Sequence, residues 1–209
     1  MKKTDIFITI IILVAFTASF FLYPSMSDKM PIHWDGNGNI DGYGSKVMGL
    51  FLMPGILAAV FLLFLAIPKI AVYHENFKKF EKEYDFFKLA MTAFFILLYV
   101  FTLLPNFGYN INMNYFIFPA IALLFFSIGI ILPKIKTNYF FGIRTPWTLS
   151  DQKVWNKTHE KAGPLFKFMG LIFLVSIFLP GKVWIIISVV LLSVIWIFYY
   201  SYREFKKLH

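Results

Sequence analysis

Two stretches of this chain hold the side chains with which it could do chemistry. The first is "YPSMSDKMPIHWDGNGNIDGYGSK", Tyr23–Lys46, which carries His33, Asp35 and Asp41. The second is "NYFFGIRTPWTLSDQKVWNKTHEKAG", Asn138–Gly163, which carries Arg144, Asp151 and His159. Imidazoles and carboxylates are the groups acid–base catalysis uses. Neither spacing sets a nucleophile against a base, so no catalytic residue is assigned. An interfacial membrane enzyme or carrier acting on a lipid or peptide stands as the alternative function.

The first stretch also bears on metal binding. "DGNGNID" begins like a calcium loop, with Asp35, Asn37 and Asn39 at alternate positions. Ile40 then stands where such a loop needs Gly, and Lys46 where it needs a bidentate Glu. A looser set of His33, Asp35 and Asp41 is the other metal option; the expectation is an ordered, turn-rich cap with no metal and no cofactor. Gly36, Gly38, Gly42 and Gly44 mark tight turns, "PIHW" a short extended arm, and Trp34 and Tyr43 interface anchors. Cysteine is absent, which removes disulfides and thiolate metal sites.

The elements that position these stretches follow from composition. Of 209 residues, 59% are hydrophobic and 15% charged, and 27 are Phe. That is more apolar surface than one soluble core of this size hides, and a bilayer is its natural solvent. No charge falls between Asp5 and Asp28, Lys46 and Lys69, Lys88 and Lys134, or Lys182 and Arg203. The third interval is too long for one span, and "PNFGYNINMN", Pro105–Asn114, breaks it. The reading is an all-α integral membrane protein with six transmembrane helices, near 6–23, 47–67, 87–104, 115–133, 164–180 and 183–201. The fifth needs Lys167 to carry its charge back to the interface, and a re-entrant hairpin closing at Leu179–Lys182 is its alternative. The first is too long for a cleaved signal peptide. Gly55-x-x-x-Ala59 and Ala15-x-x-x-Ser19 are candidate close-packing sites. Three regions are expected: 1–74, two helices with the outer loop; 75–134, a central helix hairpin; and 135–209, the polar segment with the last two helices.

Of twenty Lys and Arg, only Lys29, Lys46 and Lys182 fall in the first, third and fifth loops. The positive-inside rule then places both termini and Asn138–Gly163 in the cytoplasm, and Tyr23–Lys46 outside. The net charge of +9 is a product of that topology and of anionic headgroups, not a sign of direct nucleic-acid binding.

The polar segment reads as helix entry followed by an amphipathic helix. Thr148-x-x-Asp151 fits a capping box, with Ser150 as another N-cap. Val154, Trp155, Thr158 and Ala162 make one narrow face of a short interfacial helix from Asp151, and Gly163-Pro164 ends or bends it. Trp147 and Trp155 are expected to fix its depth in the interface.

The segment resembles the signature of the SdpI family of bacterial multi-pass immunity proteins. The resemblance rests on Asn138, Phe141, Gly142, Ile143, Arg144, Thr145, Pro146, Trp147, Thr148, Leu149, Val154, Trp155, Thr158, His159 and Gly163. The outer loop is similar to a domain of unknown function that often precedes this signature, through Pro31, His33, Trp34, Gly38, Asp41 and the closing Gly44-Ser45-Lys46. The resemblance implies protection of a bacterium from a secreted toxic peptide, in a protein of the cell membrane. It further implies a receptor that holds a transcriptional repressor at the membrane when toxin is present. On that reading Asn138–Gly163 is the partner surface, Arg144 foremost.

The charge asymmetry has a direct check. In an otherwise cysteine-free chain, Asn37→Cys should react with an impermeant thiol reagent in intact cells, and Lys157→Cys only after permeabilisation. The opposite pattern would reverse the topology.

Overall fold

The computed structural model describes residues 2–72 and 74–209. The described residues form helices α1 (Lys3–Leu22), α2 (Lys46–Ile70), α3 (His74–Lys79), α4 (Glu81–Leu103), α5 (Asn114–Ile131), α6 (Pro146–Ser150), α7 (Gln152–Ser176) and α8 (Lys182–Leu208), with strands β1 (Lys29–Trp34) and β2 (Ile40–Ser45) between α1 and α2. Among the described residues, five segments are long and apolar enough to cross a bilayer: Lys3–Ser25, Lys46–Ile70, Glu81–Phe107, Asn114–Lys134 and Lys182–Leu208. Each is built on an uncharged run, extended at some ends by charged turns, because some twenty residues at about 1.5 Å each match a hydrocarbon core of about 30 Å. The protein is a mostly helical membrane protein.

The chain divides into two compact units, Met1–Leu63 with Lys88–Ala120, and Phe64–Phe87 with Ile121–His209. Helices α2, α4 and α5 therefore contribute to both.

In the first unit, buried polar contacts tie the helices. Ser19 Oγ donates to Leu50 O at 2.7 Å and lies 2.8 Å from the Tyr99 hydroxyl, joining α1, α2 and α4. Ala15 and Ser19 are buried in this contact, whereas Gly55 faces open space and is no packing site. Asp5 and Lys88, which in sequence simply bound the apolar runs, form a buried ion pair at 2.5 Å between α1 and α4.

The outer loop is more regular than a set of turns. β1 and β2 pair antiparallel, from Lys29 opposite Ser45 to Trp34 opposite Ile40. Glycine permits the pairing: a Cβ on Gly42 would lie 2.8 Å from His33 Cβ, and one on Gly44 would lie 2.5 Å from Ile32 Cδ1. At the tip, Gly38 takes φ +86°, which other residues rarely adopt. The tip is docked by the loop before α5. Asn112 Nδ2 donates to Asn37 O, the Met113 amide to Gly38 O, and Asn114 Nδ2 to Gly36 O. The asparagines of "PNFGYNINMN" break the apolar run and also supply this dock.

In the second unit, α7 corrects a sequence expectation. Gly163-Pro164 neither ends nor separates a short interfacial helix; α7 runs unbroken for 25 residues through Pro164. Proline removes one helical hydrogen bond and crowds the preceding turn. Tertiary packing outweighs that cost. A Cβ on Gly129 would come within 2.7 Å of Gly163 O, and one on Gly170 within 2.9 Å of Ala122 O. The contacts recur at seven-residue spacing on both α5 and α7, so two helix backbones meet along a seam of small residues.

The seam yields a test. Gly129→Leu must displace the Gly163 carbonyl and should lower stability by about 1–3 kcal/mol or more. Gly55→Leu, in open space, should leave it nearly unchanged. Thermal unfolding in detergent reads both; equal melting temperatures would remove the seam from the account.

Candidate functional site

The segment Asn138–Gly163 is built around buried hydrogen bonds. Asn138 is fully buried and uses its whole amide. Its Nδ2 donates to Lys136 O and Phe141 O, and its Oδ1 accepts from the Phe140 and Phe141 amides. This folds 138–141 into a tight loop and turns the Phe141 ring onto Phe80, Tyr84 and Phe87.

Gly142 follows with φ +105°, a conformation L side chains avoid. A Cβ there would sit 2.5 Å from His159 Nε2. The glycine is needed twice over, for its backbone and for the close approach of an imidazole. His159 Nε2 accepts from the Ile143 amide at 2.9 Å, so its proton is on Nδ1, which lies 2.9 Å from Trp155 O. The imidazole stacks on the Trp155 ring at 4.1 Å. Burial pushes the His159 pKa down to about 4. The neutral ring is therefore the working form near neutrality, bridging α7 to the loop.

Trp155 is fully buried, and its Nε1 donates to Ile135 O at 2.8 Å. It is a core residue rather than an interface anchor, which corrects the expected role. Val154, Thr158 and Ala162 are buried on the same side of α7. Trp147 is half-buried on α6, its ring 5.1 Å from that of Tyr202.

Helix entry differs from the expected box. The capping box is formed by Thr145 and Thr148 around Pro146, the first residue of α6. Asp151 is instead the N-cap of α7, accepting from the Lys153 and Val154 amides, which hold its carboxyl below the usual range. Thr145 Oγ1 also reaches Ser201 Oγ on α8 at 3.1 Å. Ser201 was missed in sequence; its only signal is a small hydroxyl inside an apolar helix.

Arg144 points outward. Its guanidinium donates to Tyr139 O, and the side chain is exposed beside exposed Tyr139 and Pro146. Arg144, Asp151 and His159 thus serve three different partners and do not converge. In the outer loop, His33 Nδ1 and Asp41 Oδ1 lie 2.5 Å apart on the exposed hairpin. Asp35 is committed to the turn, accepting from the Asn37 and Asn39 amides, which lower its pKa. Pro31 is buried in β1, and Lys46 pairs with Asp28 at 2.9 Å and lies over the Tyr23 ring. Tyr43 is exposed, while Trp34 lines a pocket of about 230 Å³ with Met53, Leu98, Phe101 and Met113.

Known proteins share this arrangement in sequence. Residues 134–201 match the SdpI/YfhL protein family, and residues 10–58 match a domain of unknown function, DUF1648. The immunity protein SdpI of Bacillus subtilis (strain 168) is 31% identical over 214 residues, which cover 100% of this chain and 99% of that relative. The chain belongs to the SdpI family. No solved structure matches it. The SdpI match takes in both outer ends of the hydrogen-bond network, Ile135 beneath Trp155 and Ser201 beside Thr145. Within this SdpI-family chain, Asn138, Gly142, Thr145, Trp155 and His159 hold the segment's shape, and Tyr139, Arg144 and Pro146 are what it presents.

The latch predicts a pH dependence of known sign. His159 binds its proton less readily folded, at about 4, than unfolded, near 6.5. Its contribution is therefore complete above about pH 6.5 and is lost as pH falls toward 4, up to about 3 kcal/mol. The melting temperature of the wild type minus that of His159→Gln should fall across that window. A difference independent of pH would show that the ring is not held neutral.

Proposed function

We propose that the chain is a multi-pass immunity protein of the bacterial plasma membrane that protects the cell from a secreted toxic peptide. The full-length likeness to the immunity protein SdpI carries this reading. By the family resemblance, the protein also acts as a receptor that sequesters a transcriptional repressor at the membrane. Its partners are then the bilayer, the toxin and the repressor, without direct contact to nucleic acid.

Six crossings are part of the proposal, and the packing of α7 on α8 supports the sixth. Lys157 meets Glu204 at one end of the pair, and only Ile177–Gly181 connects the helices at the other. The expected fifth span, 164–180, begins beyond His159 and supplies about 17 residues, the lower end of what a helical crossing needs. Hydropathy passes over α7 because its first half, up to Gly163, is polar and belongs to the cytoplasmic segment, not to the crossing. With an even number of crossings, the basic loops and both termini lie in the cytoplasm.

A non-enzymatic role fits the site. Both nitrogens of His159 are taken up by backbone groups, and among the described residues no second titratable group is hydrogen-bonded to it. The rigid loop offers Arg144 instead, whose guanidinium is suited to a carboxylate or to several carbonyls of a partner.

A toxin challenge in a sensitive host, with and without the gene, tests the function. Arg144→Ala should reach the membrane at normal levels and lose protection or repressor capture by about tenfold or more. Trp155→Ala should fail differently, by loss of protein, because it removes a core ring and its hydrogen bond. Full protection and signalling by Arg144→Ala at normal levels would remove the loop from the function; no protection by the wild type would remove the immunity reading.

A further inference from the structure

The paired ends of α7 and α8 hold one carboxylate beneath three cations. The Glu204 side chain is 4% exposed. One of its oxygens accepts from Lys157 Nζ at 3.0 Å; the other accepts from Lys207 Nζ at 2.5 Å and lies 3.7 Å from Arg203 Nη2. The three cationic side chains are each about half exposed, at 48%, 52% and 51%. Glu204 therefore gathers three positive charges and neutralises one.

Donors remain on all three side chains. An ammonium has three N–H groups, and Lys157 and Lys207 each use one on Glu204. Arg203 lies beyond hydrogen-bond distance from the carboxylate and stacks over the Tyr200 ring at 5.7 Å, which leaves its planar fork available. Toward this end α8 exposes Tyr199 and Tyr202, with exposed Trp196 nearer its middle. Such rings settle at the level of lipid headgroups.

We propose that Lys157, Arg203 and Lys207, held in position by Glu204, bind the phosphate of an anionic phospholipid headgroup. The three cations exceed Glu204 by two charges, and with Glu160 also acting on Tyr200 the local excess is about one, which matches one phosphate diester. Guanidinium and phosphate pair through two parallel hydrogen bonds. Basic pockets at the ends of membrane helices are suited to lipid headgroups. The lipid, rather than a soluble anion, is the occupant because the donors share their helix end with exposed tyrosine rings of a kind suited to the headgroup level. This inference stands apart from the immunity reading.

Glu204 makes the test discriminating. The full-length protein in neutral detergent is titrated with phosphatidylglycerol, phosphatidylcholine or inorganic phosphate. Bound lipid is counted by native mass spectrometry, and thermal unfolding is followed in parallel. Phosphatidylglycerol alone should bind and stabilise. Glu204→Gln makes the patch more positive by one charge, so unspecific attraction would strengthen binding. A positioned site loses its template, and affinity should fall about tenfold. Lys207→Gln, at a half-exposed position, should fold normally and weaken binding to a similar degree, and it carries the test if Glu204→Gln does not fold. Unchanged or tighter binding by Glu204→Gln, unchanged binding by Lys207→Gln, or equal effects of phosphatidylcholine would overturn the proposal. An equal response to inorganic phosphate would also overturn it, by making this a free-anion site.

Discussion

One neutral imidazole holds the signature segment together. His159 spends its single N–H on a carbonyl of its own helix and its single lone pair on an amide of the loop. Protonation would replace the acceptor with a second donor aimed at the Ile143 N–H, inside a buried site. The ring can approach only because Gly142 has no side chain, and its face is covered by Trp155. Trp155 in turn reaches Ile135, and Asn138 closes the loop over Phe141. Each of these residues is specified by its neighbour's geometry, which explains why such different residue types occur together.

The helices supply the frame for this latch. Between helices in lipid, apolar contact gives little preference for one packing over another, and close backbones or hydrogen bonds must provide it. Here the Gly129–Gly163 and Ala122–Gly170 contacts fix α7 against α5, and Thr145 with Ser201 joins the loop to α8. In the first unit the buried Ser19–Tyr99 contact and the Asp5–Lys88 pair do the same work. Breaking a buried pair leaves an uncompensated charge, at a cost of about 3–5 kcal/mol, so such pairs set helix register firmly.

The sequence revealed much of this, unevenly. The five long apolar helices were legible because charge is excluded from about twenty residues at a time, a signal that needs no tertiary information. The two polar stretches stood out as dense polar sequence between them. The continuity of α7 was hidden, since Pro164 is a local breaker and the contacts that override it come from α5, more than thirty residues away. Trp155 looked like an interfacial ring because its partner, a backbone carbonyl at Ile135, leaves no mark in side-chain pattern. Thr148 and Asp151 fitted a capping box by spacing alone, while the actual box used Thr145 and divided the stretch into two helices. The extended arm "PIHW" was legible and lies in β1, but β2 was masked by glycines, which read as turns although two of them permit cross-strand packing.

The resulting division is physical: buried residues of the SdpI signature maintain a shape, and Arg144 with its exposed neighbours is what that shape presents. The central claim is that His159 is a neutral structural bridge. It is tested most directly by the nitrogen resonances of the His159 imidazole, assigned by their loss in His159→Gln and followed with pH. The expected result is one Nδ1–H tautomer that persists from about pH 8 to about pH 5, with no protonation midpoint in that range. A midpoint near the ordinary histidine value, or an Nε2–H tautomer, would contradict the bridge and return His159 to the set of reactive groups.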